Sequence, residues 1–514
     1  MNKFEAMKHA KDGLDVLPDL LGHAADDTPV DEIPGDDLIR MKWYGVFHRQ
    51  QTPGLFMMRL RIAGGRLTTA QARVISGIAR DFGGGSVDLT TRQNIQLRQL
   101  TLAVIPEVWD RLGAVSITSM QTGMDNVRNY VGCPLAGLDA HELIDTTPII
   151  AALGAAHLGA REFSNLPRKF NVAITGCRED CGQAQAQDLA FVPAARNVGG
   201  RRTVGFNVLV GGALGGTSPR LATPLEAFVL PADVSALFTA LLRVYRDHGP
   251  REQRGKARLK WLIAERGVEW LRDAVQREMG SLLLHPGIDA REHFGGDHLG
   301  VHRQREPEMY YVGLHVPVGR MSADQLDGLA RLASRYGSGE IRLTTGQNAL
   351  IPNVRGSALP KLLAEPLLRE LRPDPPAVWR NLVACTGIDY CHYSLIDTKS
   401  RAVELATDLE ARGIVVPPET RIHISGCVHA CARHHIGDIG LQGANVRVGD
   451  HIEEAADVYV GGRLGPNARL ATLHSAKVPM TDMADVLASL IEGGTAGAER
   501  QPTPVEEAVA EVAG

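Results

Sequence analysis

The stretch GRLTTAQARVISGIARDFGGGSVDLTTRQNIQLR at 65–98 aligns without a gap on GRMSADQLDGLARLASRYGSGEIRLTTGQNALIP at 319–352. The offset is a constant 254, and 11 of 34 positions are identical. Two further pairs follow in the same order: ITGCREDC (174–181) with ISGCVHAC (424–431) at an offset of 250, and VGGALGG (210–216) with VGGRLGP (460–466). A repeat this long is no solenoid unit, so the chain is two homologous halves. Whatever one half folds into, the other must fold into as well. The places where the halves differ then carry the functional information.

Each half shows the same coarse pattern. An apolar strand (56–62; 310–316) leads through a polar turn into a helix, whose apolar stripe in the first half is Ala70, Val74, Ile75 and Ile78. A second strand is expected to carry the TTxQN motif (90–94; 344–348), followed by a further helix and a cysteine-bearing loop. The fold class is therefore α/β (α+β), with two halves related by a pseudo-twofold axis. The stretch 284–303 is the natural link between them; its four histidines fit a metal site or, the favoured reading, a polar loop, and the tail from Gly493 is too poor in bulky apolar residues to order itself. A net charge of −4 over 514 residues gives no global field for nucleic acid or an anionic membrane. No apolar run approaches the roughly 18 residues that span a bilayer. The N-terminus has no apolar signal core, so a cytoplasmic enzyme is expected.

The seven cysteines are an odd number in a large chain, which argues against a disulfide framework. Four lie together as Cys385-x5-Cys391 and Cys427-x3-Cys431. Structural zinc prefers gaps of two to four residues; a five-residue gap fits a cubane iron–sulfur cluster better, though spacing alone leaves zinc open. The first half keeps Cys133, Cys177 and Cys181 but has Asp139 where a fourth thiol would fall. It reads as a lapsed site of packing thiols. What the first half has instead is cations: Arg59 and Arg61 on one strand face, then Arg92, Arg98, Arg128, Arg168 and Lys169. Gly313 and Gly346 replace Arg59 and Arg92 in the second half. Guanidinium forks suit carboxylates and oxyanions. One half thus offers a redox metal and the other an anion pocket, a pairing suited to reducing a small oxyanion or holding an anionic macrocycle.

The stretches NKFEAMKHAKDGLDV, MKWYGVFHRQQTPGLFMMRLRI, LTTRQNIQLR, GMDNVRNYVGCPLAG, LPRKFNVAIT, LTTGQNALIPN and both cysteine pairs resemble the ferredoxin-dependent nitrite reductases of the nitrite/sulfite reductase family. The resemblance implies ferredoxin-like half-domains plus two sirohaem- and cluster-binding α/β domains. The boundaries it suggests are an N-terminal extension (1–40), half-domain 1 (41–125), an anion-pocket sirohaem domain (126–284) and a linker (285–304). Half-domain 2 (305–372), a [4Fe-4S]/sirohaem domain (373–492) and a disordered tail (493–514) complete the chain. It implies sirohaem and a [4Fe-4S] cluster as cofactors. Cys385, Cys391, Cys427 and Cys431 would be the cluster ligands, with Cys431 shared with the sirohaem iron. Arg59, Arg128 and Lys169 match the cations over the substrate. Thr90, Thr91, Arg92 and Gln96 match contacts to the sirohaem carboxylates; Arg168 joins them, and Gln347 and Asn348 resemble a macrocycle-supporting element. HISGCVHACARHH (423–435) would then be half of the ligand set at a helix N-terminus, with Thr175 and Ser425 as polar caps and the histidines as polar packing.

Asn171 bears on the substrate. Sulfite-reducing relatives place a second lysine there, whereas the nitrite-reducing ones resemble this chain, and nitrite carries one charge fewer. The implied reaction is nitrite to ammonium, with reduced ferredoxin or a flavodoxin as donor, since no dinucleotide fingerprint follows a strand. The alternatives are a sulfite reductase, a relative resembling the corrin-pathway monooxygenase, and a protein with structural zinc.

Overall fold

The computed structural model describes residues 2–294 and 296–494; most of the expected tail lies outside them. The repeat begins in two matched antiparallel sheets. The first runs in the order Val46–His48, Phe56–Leu60, Ile95–Leu100, Ser86–Leu89, and is completed by Arg320–Ser322 from the second half. The second runs Gly300–Arg303, Met309–Leu314, Ala349–Arg355, Glu340–Leu343, and is completed by Arg66–Thr68 from the first. Each half thus lends the other an edge strand, Met321 pairing with Val87 and Ile341 with Leu67. The lent strand leads straight into a helix, Thr69–Asp81 or Ala323–Tyr336. Both helices open on a capping box, Thr68 with Gln71 and Ser322 with Gln325. Ile75 and Ile78 of the expected stripe are buried and Val74 half-buried, but Ala70 sits in the exposed first turn, and Ala72 and Ala79 take its place. One hydrophobic core runs through both sheets and the N-terminal helices.

The TTxQN motif is not a strand. It is the turn between Ser86–Leu89 and Ile95–Leu100, and again between Glu340–Leu343 and Ala349–Arg355. Gln93 and Gln347 adopt φ of 58° and 64°, which breaks a strand. The first threonine closes each turn: Thr90 Oγ1 accepts from the Arg92 and Asn94 amides, and Thr344 Oγ1 from those of Gly346 and Asn348.

Beyond these sheets each half builds a second one of matching topology. In the first half Val127–Gly132, Phe170–Ile174 and Leu189–Val198 run parallel, and Arg201–Val210 and Thr223–Val229 continue antiparallel. Leu382–Ala384, Ile422–Ser425, Ile439–Val448, His451–Val460 and Thr472–Pro479 repeat the pattern. The cysteines follow the carboxyl ends of the parallel strands, where open α/β sheets place their ligands. The link between halves is not a plain loop. Ile288–Asp289 adds to the first half's sheet and Gly300–Arg303 edges the second's. None of the described helices is long and apolar enough to cross a membrane.

Candidate active site

Cys385 follows Leu382–Ala384 directly, and its amide donates to Ile424 O on the adjacent strand at 3.0 Å. The Gly426 amide donates to Cys385 Sγ at 3.2 Å. A Cβ on Gly426 would sit 1.7 Å from Ser394 Oγ, so only glycine lets the two cysteine segments approach this closely. The segment 426–433 is not a helix N-terminus. Ala430 and Arg433 take left-handed φ values of 50° and 61°, which stops helical propagation, and only a short 3₁₀ turn, His434–Ile436, follows. Ser425 Oγ accepts from the Ala432 amide at 3.2 Å and closes the cysteine loop rather than capping a helix. The thiols feel one another. Burial, then the neighbouring Cys431, pushes the Cys385 thiol up to about 11, and burial with Cys431, Cys391 and Cys385 nearby pushes Cys427 up to about 12. Yet no three of the four sulfurs lie within 4.8 Å of one another. A single zinc with Zn–S bonds of about 2.3 Å needs sulfurs about 3.8 Å apart, so this spacing suits a larger cluster.

The first half's cations face these cysteines. Thr91 Oγ1 donates to Cys431 O at 3.1 Å, and Arg433 Nη2 returns a bond to Thr91 O at 2.6 Å, which pins the TTRQN turn onto the cysteine loop. Arg59 stacks 4.8 Å above the Phe47 ring and donates to Thr122 O at 3.0 Å. Arg128 donates to Met124 O and to the same Thr122 O. Arg92 Nε donates to Asn171 Oδ1 at 3.0 Å. Burial, then Arg92, Arg49 and Arg98, holds Arg59 down at about 9; burial, then Arg59, Arg92 and Arg168, holds Arg128 well below its ordinary value. The Lys169 ammonium is likewise held well below the usual lysine range, by burial and by Arg92, Arg258 and Arg168. Cys431 acts in the opposite sense on Arg59, Arg92 and Lys169, which places its sulfur in their field.

Other residues named from the sequence have partners of their own within the fold. Arg98 binds Asp88 through two bonds of 3.0 and 2.7 Å and also takes the Gln96 amide oxygen, so Gln96 reaches the site only through Arg98. Arg61 donates to Met120 O and Val127 O. Arg168 lies 3.7 Å from Asp125, which Arg254 and Lys8 also hold. Gln347 donates to Leu89 O, and Asn348 Oδ1 accepts from the Val316 amide. Three cations escaped the sequence reading. Lys42 is held at about 8 by burial and by Arg49, Arg254 and Arg128; Arg49 faces Cys391 and Cys431; Arg433 bonds Thr91. Their stretches, MKWYGVFHRQQ and CARHH, were legible, but nothing in one sequence separates these cations from surface charge.

A family profile described as "Nitrite and sulphite reductase 4Fe-4S domain" matches residues 123–283 and 377–493. One described as "Nitrite/Sulfite reductase ferredoxin-like half domain" matches 48–115 and 302–368. The chain belongs to the nitrite and sulphite reductase family. It is 45% identical over 498 residues to a ferredoxin–nitrite reductase of Synechococcus elongatus, covering 96% of both chains. It is 42% identical to a chloroplastic ferredoxin–nitrite reductase of Zea mays, covering 89% of this chain and 82% of the relative. The solved structure of Mycobacterium tuberculosis NirA superposes with a TM-score of 0.89 at 31% identity, covering 97% of this chain and 95% of that one.

The geometry fits the groups that go with this family, a [4Fe-4S] cluster and sirohaem. Four thiols lie close enough to raise one another's pKa, yet not as close as a single ion needs. Beside them Lys42, Arg49, Arg59, Arg92, Arg128 and Lys169 form no ion pair with any described carboxylate and repel one another. Half-buried like charge without an ion-paired carboxylate suits a polyanion, and the eight carboxyl groups of sirohaem supply one.

Proposed function

We propose that the chain reduces nitrite to ammonium with electrons from reduced ferredoxin: NO2− + 6 e− + 8 H+ → NH4+ + 2 H2O. The observation that carries this reading is the set of uncompensated cations facing four cysteines, in a chain so similar to ferredoxin–nitrite reductases. Cys385, Cys391, Cys427 and Cys431 would hold the cluster, and Cys431, whose sulfur lies in the field of Arg59, Arg92 and Lys169, would be the one beside the sirohaem. When bound, the two groups would supply the one-electron redox chemistry that the six-electron reduction needs. Thr91 fixes the backbone of Cys431 through their hydrogen bond.

Arg59, Arg128 and Lys169 neutralise the incoming oxyanion. The guanidinium groups stay charged throughout, whereas an ammonium can release a proton, so Lys169 Nζ is the one of the three suited to deliver it. Thr90, Arg92 and Arg168 receive the carboxylates of the macrocycle. Asn171 positions Arg92 rather than touching substrate. Gln96, Gln347 and Asn348 act by holding the elements around the site. The donor is an acidic one-electron carrier, ferredoxin or a flavodoxin in its place, and the setting is the cytoplasm.

The test is steady-state turnover of anaerobically purified holoprotein with reduced ferredoxin, nitrite and sulfite being offered separately. The proposal expects stoichiometric ammonium and a kcat/KM for nitrite well above that for sulfite. Dominant sulfide production would assign the chain to sulfite reduction instead.

A further inference from the structure

By sequence the first half's cysteines are packing thiols missing a fourth partner. The fold supplies that partner from outside the repeat. Cys133 follows Val127–Gly132, and Cys177 and Cys181 follow Phe170–Ile174, as the cluster cysteines do in the second half. Asp139, at the fourth position by repeat, turns away and accepts from the His141 amide. Instead His298, in the segment linking the halves, places Nε2 3.1 Å from Cys181 Sγ. Cys181 Sγ lies 3.5 Å from both Cys133 Sγ and Cys177 Sγ, and the three sulfurs all lie within 4.8 Å of one another. All four side chains are buried.

We propose that Cys133, Cys177, Cys181 and His298 form a structural zinc site. Zn–S bonds of about 2.3 Å and Zn–N bonds of about 2.0 Å make a tetrahedron with edges of about 3.6–3.8 Å; the three thiols already group within 4.8 Å, and His298, grouped with Cys181 and Glu179, closes the set by a movement toward Cys133 and Cys177. A cubane needs sulfurs farther apart than these three. Three soft thiolates with one imidazole select zinc over hard cations. The surroundings suit thiolates too: the Leu135 amide donates to Cys133 Sγ at 3.3 Å. Glu179 Oε2 stands 3.6 Å from His298 Nε2 and 3.9 Å from Cys181 Sγ, at the edge of the same group of ligand atoms. Entry is provided by a cavity lined by Cys181, His298, Thr345 and Arg380.

Such an ion ties three parts of the chain together. It joins the first half's parallel strands to the linking segment, and Thr345 Oγ1 of the second half's turn donates to Cys181 O at 2.9 Å. This mirrors Thr91 on Cys431, so both TTxQN turns cap a metal-bearing cysteine loop of the other half. A Cβ on Gly313 would lie 1.7 Å from His298 O, so the residue that replaces Arg59 makes room for the segment bearing the fourth ligand.

The experiment is elemental analysis of zinc and iron in the holoprotein, wild type and Cys177→Ser/Cys181→Ser, with zinc K-edge absorption on the wild type. About one zinc per chain is expected, bound by three sulfurs at about 2.3 Å and one nitrogen at about 2.0 Å. The double variant should lose the zinc and keep its iron. If that variant does not fold, the wild-type edge spectrum decides alone. Zinc-free wild type, a Cys177–Cys181 disulfide in the unreduced chain, or zinc retained by the double variant would each overturn the proposal.

Discussion

Asp88 shows how a single residue sets the charge balance of the site. Its carboxylate is buried between Arg98 at 2.7 Å, Arg320 at 3.0 Å and Lys399 at 3.6 Å. Burial alone would raise its pKa, but Lys399, Arg98 and Arg320 together hold it far below the usual carboxylate range. Asp88→Asn leaves buried cations uncompensated and is expected to cost about 3–5 kcal/mol. A depressed carboxylate stabilises above its unfolded pKa, near 3.9, and loses that contribution as pH falls toward the folded value. The Tm gap between wild type and Asp88→Asn should therefore be full at pH 6 and narrow below about pH 4. Asn171 is the second telling residue. Asn171→Lys removes the acceptor that holds Arg92 Nε and adds a charge beside it. The kcat/KM ratio of sulfite to nitrite is expected to rise about tenfold, equivalent to about 1.4 kcal/mol, and an unchanged ratio would remove Asn171 from the specificity argument. The sequence announced Arg59, Arg61, Arg92, Arg98, Arg128, Arg168 and Lys169 as a group because the sister half had emptied two of the positions. It could not announce that Arg98 belongs to Asp88, since that pairing depends on two strands meeting in register.

At the scale of elements, the two TTxQN turns test the division between the halves. Gln93 Nε2 donates to Gly132 O at 3.0 Å and Leu343 O at 2.9 Å, and its Oε1 accepts from the Gly132 amide. Gln347 makes one such bond, to Leu89 O, and leaves its buried Oε1 without a partner. At about 1 kcal/mol per bond, Gln93→Ala should cost about 2–4 kcal/mol and Gln347→Ala about 1 kcal/mol. Chemical denaturation of the two variants would show the order, and equal losses would contradict it. The motif was easy to find and wrongly read as strand. Its β-branched threonines favour strand locally, but the left-handed φ at the glutamine is set by contacts from the other half. HISGCVHACARHH failed as a helix start for a related reason: its serine bonds within the loop, seven residues on.

For the whole molecule the repeat was the most informative feature, and it led directly to the two matched pairs of sheets. What it hid is the exchange of edge strands: Arg66–Thr68 and Arg320–Ser322 each complete the other half's sheet. A three-residue strand carries no pattern that names its partner, and a repeat cannot distinguish pairing within a half from pairing across halves. The exchange matters for function because it makes one core of the two half-domains and brings the cation-bearing half against the cysteine-bearing one.

The central claim is that the halves divide the work, one holding the cluster and the other the oxyanion. Lys169→Ala tests it most directly, with nitrite kcat/KM measured on protein whose iron content has been counted. The account predicts wild-type iron and a kcat/KM lowered about 100-fold or more, the scale of losing one preorganised charge at a reacting centre. Full activity with nitrite, or a variant that has lost its iron, would contradict it.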